Sequence, residues 1–302
     1  MLSCARTERK TRLHLLQTYV DLLPAYVLNW KLYGAVAICL ALEASFFVRP
    51  RALMSVELLQ DFVFGAAKLW LSVPLLLAWA TLYESVLTNA LPFARWRIAA
   101  EWPPAVQLVV GFLAADFVVY ATHVLKHKIS WVWQFHAVHH SQRNLNPLTT
   151  HRTHFVDQLF ENPLRFLPLA FLGVGFPTWI GVRAVMWLWA HVIHSNVRWG
   201  LGPLHHVIVS PRYHRIHHSI EARHQDRNFG EHLVLWDWLF GTLYRDRGEY
   251  PDTGVADPAY PVERSARGLA PLVQLGEQYL YPFRVLLGRR VVALRARDVT
   301  SA

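Results

Sequence analysis

Hydrophobic and polar positions in this chain separate into long blocks. Four apolar blocks stand out. Gly34 to Phe47 carries one charge, Glu43; Phe62 to Tyr83 carries one, Lys68; Pro104 to Thr122 carries one, Asp116; Phe166 to Val182 carries none. A helix needs about 20 mostly apolar residues to cross a bilayer, so the second and third blocks are long enough. The first is marginal and reads as interfacial or re-entrant. The fourth, continued to Ala190, reads either as one long span or as a hairpin turning near Gly173, Gly175 and Pro177. Polar, histidine-crowded stretches follow at 123–160 and 191–246. The order is membrane, polar, membrane, polar, and a hairpin that leaves and re-enters one side would bring both polar stretches to one face. Three full crossings before the first polar stretch would put the N-terminus opposite the histidines. The basic N-terminus argues for the same side, and an interfacial first block removes the conflict. Residues 247–265 hold three prolines and read as a loop, and 266–292 as a terminal amphipathic helix before a basic tail. Three regions result: a membrane-associated 1–103 with one or two spans, a histidine-rich 104–246, and a C-terminal 247–302.

Composition supports this picture. Of 302 residues, 53% are hydrophobic and only 17% charged, against roughly 25% charged in soluble proteins. The formal charge of +9 gathers at the ends, in Arg6, Arg9, Lys10 and Arg12, and again from Arg284 to Arg297. Basic flanks beside apolar spans mark the cytoplasmic side. No nucleic-acid-binding motif accompanies them, so nucleic acid is not expected as a partner. Tryptophans such as Trp96, Trp102, Trp131 and Trp133 suit a membrane interface. Cys4 and Cys39 alone make neither a disulfide framework nor a zinc ribbon, and no cleavable signal peptide is evident.

The candidate chemistry lies in histidine. Of seventeen histidines, sixteen fall between His123 and His232. His123 and His127 are spaced i, i+4, on one helical face, with Asp116 two turns and Tyr120 one turn earlier. A carboxylate inside a span is expensive and needs a partner; the natural role for Asp116 is to accept the free ring N–H of a ligating histidine. FHAVHH holds His136, His139 and His140, and YHRIHH holds His214, His217 and His218. Offsets of 0, 3 and 4 put at least two imidazoles of each on one stripe. His191 and His194 lie between. A lone histidine is more often a hydrogen-bonded or surface residue than a ligand. His14, His151, His154, His205, His206, His224 and His232 read that way. Two HxxHH copies preceded by HxxxH do not. Imidazoles so crowded would repel once protonated, and a metal relieves that cost. Imidazole suits iron, copper, nickel and zinc. One zinc needs three or four ligands, and eight or nine histidines fit two ions better.

The stretch from Asp116 to Tyr244 resembles the fatty acid hydroxylase / sterol desaturase superfamily of membrane di-iron oxygenases. The likeness runs through DFVVYATHVLKH, WQFHAVHHS, HSNV, SPRYHRIHHS and NFGEHLVLWDWLFGTLY. It implies an all-α bundle of about four transmembrane helices under a cytosolic histidine-rich helical cap. It implies His123, His127, His136, His139, His140, His194, His214, His217 and His218 as ligands of two iron ions. Asp116, Tyr120, Asn228, His191 and His154 become supporting residues; Tyr120 falls within the first motif, Arg152 and His154 match an R-x-H segment, and His191 is an extra imidazole beside His194. Phe229 stands where tyrosine is usual. The resemblance further implies O2 as co-substrate and a lipid, such as a sterol or fatty acyl chain, as the molecule hydroxylated or desaturated. Electrons would come from a separate donor, cytochrome b5 or a ferredoxin with its reductase. The location would be a bacterial inner membrane or the endoplasmic reticulum, histidines facing the cytoplasm. Two other classes are a membrane zinc hydrolase, which would need a glutamate base as in HExxH, and a non-catalytic metal-binding membrane protein, which would carry its ligands mid-span.

Overall fold

The computed structural model describes residues 56–65, 68, 98–174, 176–245, 248–262 and 270–288. The first apolar block, His14 and the basic tail lie outside them, as does most of the second block. Among the described residues the protein is helical, with two isolated β-bridges, Ile208 with Leu233 and Ser219 with Thr253, and no strand.

A helical stretch at 56–65 (α1) comes first. The central element is α2, Pro104–Lys128. Pro104 opens it where the missing N–H costs nothing, and Lys126 and Lys128 in its last turn favour the negative end of the helix dipole. It is the one described helix long and apolar enough to cross a membrane. α3, Ser130–His140, folds back beside it after the extended Ile129. The fourth apolar block is a hairpin: α4, Phe155–Leu172, and α5, Phe176–Ile193, separated by Gly173 at φ 68°. The reading as a single long span is thereby set aside, since only glycine takes that backbone region freely. α6, Pro211–His217, starts at Ser210, whose hydroxyl accepts from Tyr213 N at 3.1 Å. α7, Leu235–Leu239, and α8, Ala270–Leu286, complete the order. α8 is the terminal helix expected from the pattern over 266–292.

α2 packs against α3, α4 and α5, and α8 against α3. Ala115 and Val119 of α2 meet Val182 and Met186 of α5. Ile193, Val209, Tyr213 and Val234 form a second core. Buried polar ties join the rest. Asp61 of α1 accepts from Gln142, Asn146, Thr149 and Arg152 at 2.7–3.0 Å. Arg152 is fully buried and also donates to Ser141 Oγ and to Gln278 of α8. One guanidinium thus holds α1, α3 and α8 together.

Candidate metal centre

α2, α3, α5 and α6 converge their histidines on the interior of the cap. The nine ligand candidates fall into two groups: His123, His127, His136, His140 and His217 in one, and His139, His194, His214 and His218 in the other. Within each group the candidate donor atoms all lie within 4.8 Å of one another. The i, i+4 members of each HxxHH go to one group and the i+3 member crosses to the other. His136 and His140 belong with the five, His139 with the four. In the second motif the assignment is reversed: His214 and His218 belong with the four, His217 with the five.

The hydrogen bonds fix which nitrogen faces inward. In the five-histidine group, His123 Nδ1 donates to Phe229 O at 2.8 Å, His217 Nδ1 to Arg227 O at 2.9 Å, and His136 Nδ1 to Asp157 Oδ2 at 3.1 Å. Each proton placed on Nδ1 leaves a lone pair on Nε2, and these three Nε2 atoms are buried without a protein partner. His127 Nε2 and His140 Nε2 approach to 3.1 Å. In the four-histidine group, His194 Nδ1 donates to Ala190 O at 2.6 Å. Its Nε2 lies 3.2 Å from His139 Nε2 and 3.0 Å from His214 Nε2, which is 3.2 Å from His218 Nε2. One lone pair cannot accept from two neighbours at full strength, and the Nδ1 atoms of His139, His214 and His218 are buried without partners. Unpaired buried polar atoms cost about 1–3 kcal/mol each. Two nitrogens bound to one ion at about 2.0–2.1 Å, with 90–110° between them, lie about 2.8–3.4 Å apart. The observed spacings fall in that range. The donor set therefore fits a metal in each group.

Protonation agrees. Burial first, and then neighbouring imidazoles, hold His139, His140, His214 and His218 well below the usual histidine range. Burial pushes His217 down to about 3, against the opposing pull of Arg227 O. Neutral imidazole is the form that ligates.

A buried charge array backs the five-histidine group. Asp157, Glu161 and Arg165 stand at i, i+4 and i+8 on α4. Lys126 Nζ reaches Glu161 at 3.1 Å and Asp157 at 3.7 Å, and Arg165 contacts Glu161 and, at 3.6 Å, Glu231. Burial works to raise the Asp157 carboxyl, but Lys126 and His136 outweigh it and keep it ionised. Burial likewise opposes ionisation of Glu231, and Arg165, His232 and Lys126 hold its carboxyl down at about 2. Sequence reasoning missed Asp157; its one signal was a carboxylate opening a long apolar helix.

The five supporting candidates make their hydrogen bonds outside the two groups. Asp116 accepts from His232 Nδ1 at 2.7 Å, Trp236 Nε1 at 2.9 Å and Leu233 N at 3.2 Å, so its histidine partner is not one of the nine. It ties α2 to the segment after His232. Tyr120 bonds Thr242, and Asn228 bonds Tyr244 N and Tyr213 O. His191 faces His151, and His154 meets Tyr279 O. None of the five hydrogen-bonds a member of either group among the described contacts. Asp237 does more than they do. It accepts from Phe229 N, Gly230 N, Thr242 and Tyr213, and so sets the Phe229 carbonyl that orients His123. His205 and His206 are exposed. His224, itself buried, bonds Ser219 and Glu249, and Glu249 pairs with the exposed Arg223.

Two adjoining, buried histidine clusters at the head of a span-length helix give this helical protein a donor set that could hold metal. Residues 108–242 match the fatty acid hydroxylase family model. The chain is 39% identical over 156 residues to an ornithine lipid hydroxylase of Rhizobium tropici, covering 51% of this chain and 47% of that protein. It is 32% identical over 133 residues to the alkylglycerol monooxygenase of Homo sapiens, 44% of this chain and 29% of that one. It is 26% identical over 155 residues to a Delta(7)-sterol-C5(6)-desaturase of Nicotiana tabacum, 50% of this chain and 54% of that one. The matched stretch, residues 108–242, is somewhat under half of the chain, and it is this stretch that is similar to the fatty acid hydroxylase family. The alignments span about half or less of the length of these relatives. No solved structure matches.

Proposed function

We propose that this protein is a membrane-bound di-iron oxygenase that hydroxylates or desaturates a membrane lipid. The observation that carries the reading is the pair of histidine groups, whose inward lone pairs and 3.0–3.2 Å nitrogen spacings suit two ions sharing one cap. His123, His127, His136, His140 and His217 would hold one iron; His139, His194, His214 and His218 the other. Iron in an imidazole set supplies the redox chemistry with O2 that oxidation of an unactivated C–H bond needs. The chain's own part is positioning. Phe229 O, Arg227 O, Asp157 and Ala190 O hold ring protons on the outward nitrogens. The fully buried Phe229 ring packs on His123, His127 and His217 and keeps water from that side.

Hydroxylation is favoured over desaturation, because the more similar relatives are named a hydroxylase and monooxygenases and the desaturases are less similar. The substrate would be a lipid within the bilayer that α2 enters, with electrons from a separate donor protein on the basic, cytoplasmic side. A zinc hydrolase fits less well. It needs a carboxylate beside the inward nitrogens, and the carboxylates nearest the five-histidine group, Asp157 and Glu231, lie on the Nδ1 side of His136 and His123.

Metal analysis of the purified, active protein tests the reading. About two irons per chain are expected, with lipid oxidation that stops without O2. One zinc per chain with full anaerobic activity overturns it. Comparing lipids from cells with and without the protein then identifies the substrate.

A further inference from the structure

The segment Leu233–Leu243, LVLWDWLFGTL, carries one ionisable residue, Asp237, and that residue is buried. The rest of its surface is apolar and open. Trp238 is 63% exposed, Phe240 58% and Leu239 53%, with Leu235 beside them. The neighbouring loop adds Leu204 and Val207, both more than half exposed. The two are joined: Val234 N donates to Val207 O, and Ile208 bridges Leu233. Exposed large apolar side chains gathered this way mark an interaction surface.

The surface continues onto α2. Trp236 and Phe240 ring-pack on Phe117 at 5.1 and 6.0 Å, and Phe240 stacks on Tyr120 at 5.6 Å. Phe117 belongs to the outward apolar face of α2, with Val106, Val109 and Leu113. From Phe117 to the half-exposed Lys128, α2 rises about 16 Å at 1.5 Å per residue. With Lys128 at the outer level of the lipid headgroups, a layer about 5–7 Å thick, Phe117 and the shelf packed on it fall about 9–11 Å inside the acyl boundary, at the deep end of the about 5–10 Å at which amphipathic surfaces settle. Tryptophan and phenylalanine are the residues suited to that depth.

We propose that this shelf, formed by α7 and the Leu204–Val207 turn, is a second membrane contact: it lies in the bilayer interface beside α2. The proposal rests on the membrane reading of α2 and adds to it that the histidine cap is pressed onto the bilayer by its own surface. Phe240, Tyr120 and Phe229 then line up from the lipid-facing edge to the five-histidine group, with Phe229 5.0 Å from His127 between ring centres. A lipid chain lying against the shelf would meet that group first.

The test uses the full chain with Cys4 and Cys39 changed to serine, reconstituted in phosphatidylcholine vesicles. Single spin labels go at Phe240→Cys, Val207→Cys, Val109→Cys on α2, and Ala222→Cys on the exposed polar surface. Accessibility to O2 and to a water-soluble nickel chelate is read by electron paramagnetic resonance. Labels at 240 and 207 should favour O2 and show chelate access at least about fivefold below the label at 222. Chelate access equal to that at 222 overturns the shelf while leaving α2 in the membrane if the label at 109 stays lipid-exposed. An aqueous label at 109 overturns the membrane reading itself. Exclusion of both reagents at 240 and 207 means a protein cover and equally overturns the proposal: dipolar broadening would identify a second copy, and its absence another segment of the same chain.

Discussion

At the scale of single residues, Asp157 and Asp116 make the sharpest contrast. Both are buried carboxylates bonded to a histidine ring, and only Asp157 backs a candidate ligand. Asp157→Ala should weaken metal binding about 10- to 100-fold, the usual loss when such a partner is removed. Asp157→Asn, whose amide oxygen still accepts from His136 Nδ1, should recover part of it. Asp116→Ala should instead destabilise, by about 1–3 kcal/mol for each group left unpaired, with metal affinity unchanged. Metal titration and thermal unfolding of the three variants in detergent separate the effects; equal metal loss in the Asp116 variant would refute the assignment. Spacing told which histidines could share a face, because i and i+4 meet on any helix. It could not tell which carboxylate would stand behind His136. That partner comes from another helix, 21 residues on.

At the scale of elements, the loop between α6 and α7 acts as a knot. Asp237 gathers four donors, and Asn228 takes φ 58°, a conformation asparagine tolerates better than most residues. Gly230 is there for space. A Cβ would sit 2.6 Å from Leu233 O and 3.0 Å from Asp237 Oδ2. Gly230→Ala should push the Phe229 carbonyl off His123, cost about 1–3 kcal/mol as overpacking does, and lower the metal content. Unchanged unfolding and metal content would show that the knot does not govern His123. Element boundaries were partly legible. The terminal helix and the loop before it follow from amphipathic spacing and prolines. The hairpin between α4 and α5 was one of two readings, since hydropathy alone does not record where backbone direction changes. α1 was hidden because its anchor, Asp61, precedes an apolar block and finds its partners in residues 142–152 and not nearby.

At the scale of the molecule, the cap concentrates titratable rings out of water, and stability should depend on pH accordingly. The folded-state values of His139, His140, His214, His217 and His218 are depressed from 6.5. Below pH 6.5 the unfolded chain binds protons that the fold refuses, so stability rises with pH in this range. The metal-free protein should therefore be stable above about pH 6.5 and weaken as pH falls towards 3, by up to about 1.4 kcal/mol per pH unit for each such histidine. Circular dichroism melts at pH 7.5 and 5 check this; a higher midpoint at pH 5 would contradict it. Metal-loaded protein should hold until protons displace the ions. Within residues 104–246 the alternation of apolar helices and histidine-rich stretches was legible in the pattern, and the histidine count exceeded what one ion takes. The division into five and four was not legible, because it depends on how α3 and α6 face each other across the cap.

That division has a consequence for change in this chain. His139 and His140 are neighbours joined by one peptide bond, and so are His217 and His218, yet each pair splits between the groups. Successive Cα atoms are about 3.8 Å apart, so the backbone itself rules the distance between the two pockets, twice over. Neither pocket can drift, widen or be remodelled for another ion without dragging its twin. A lineage carrying this arrangement inherits two sites that must evolve as one.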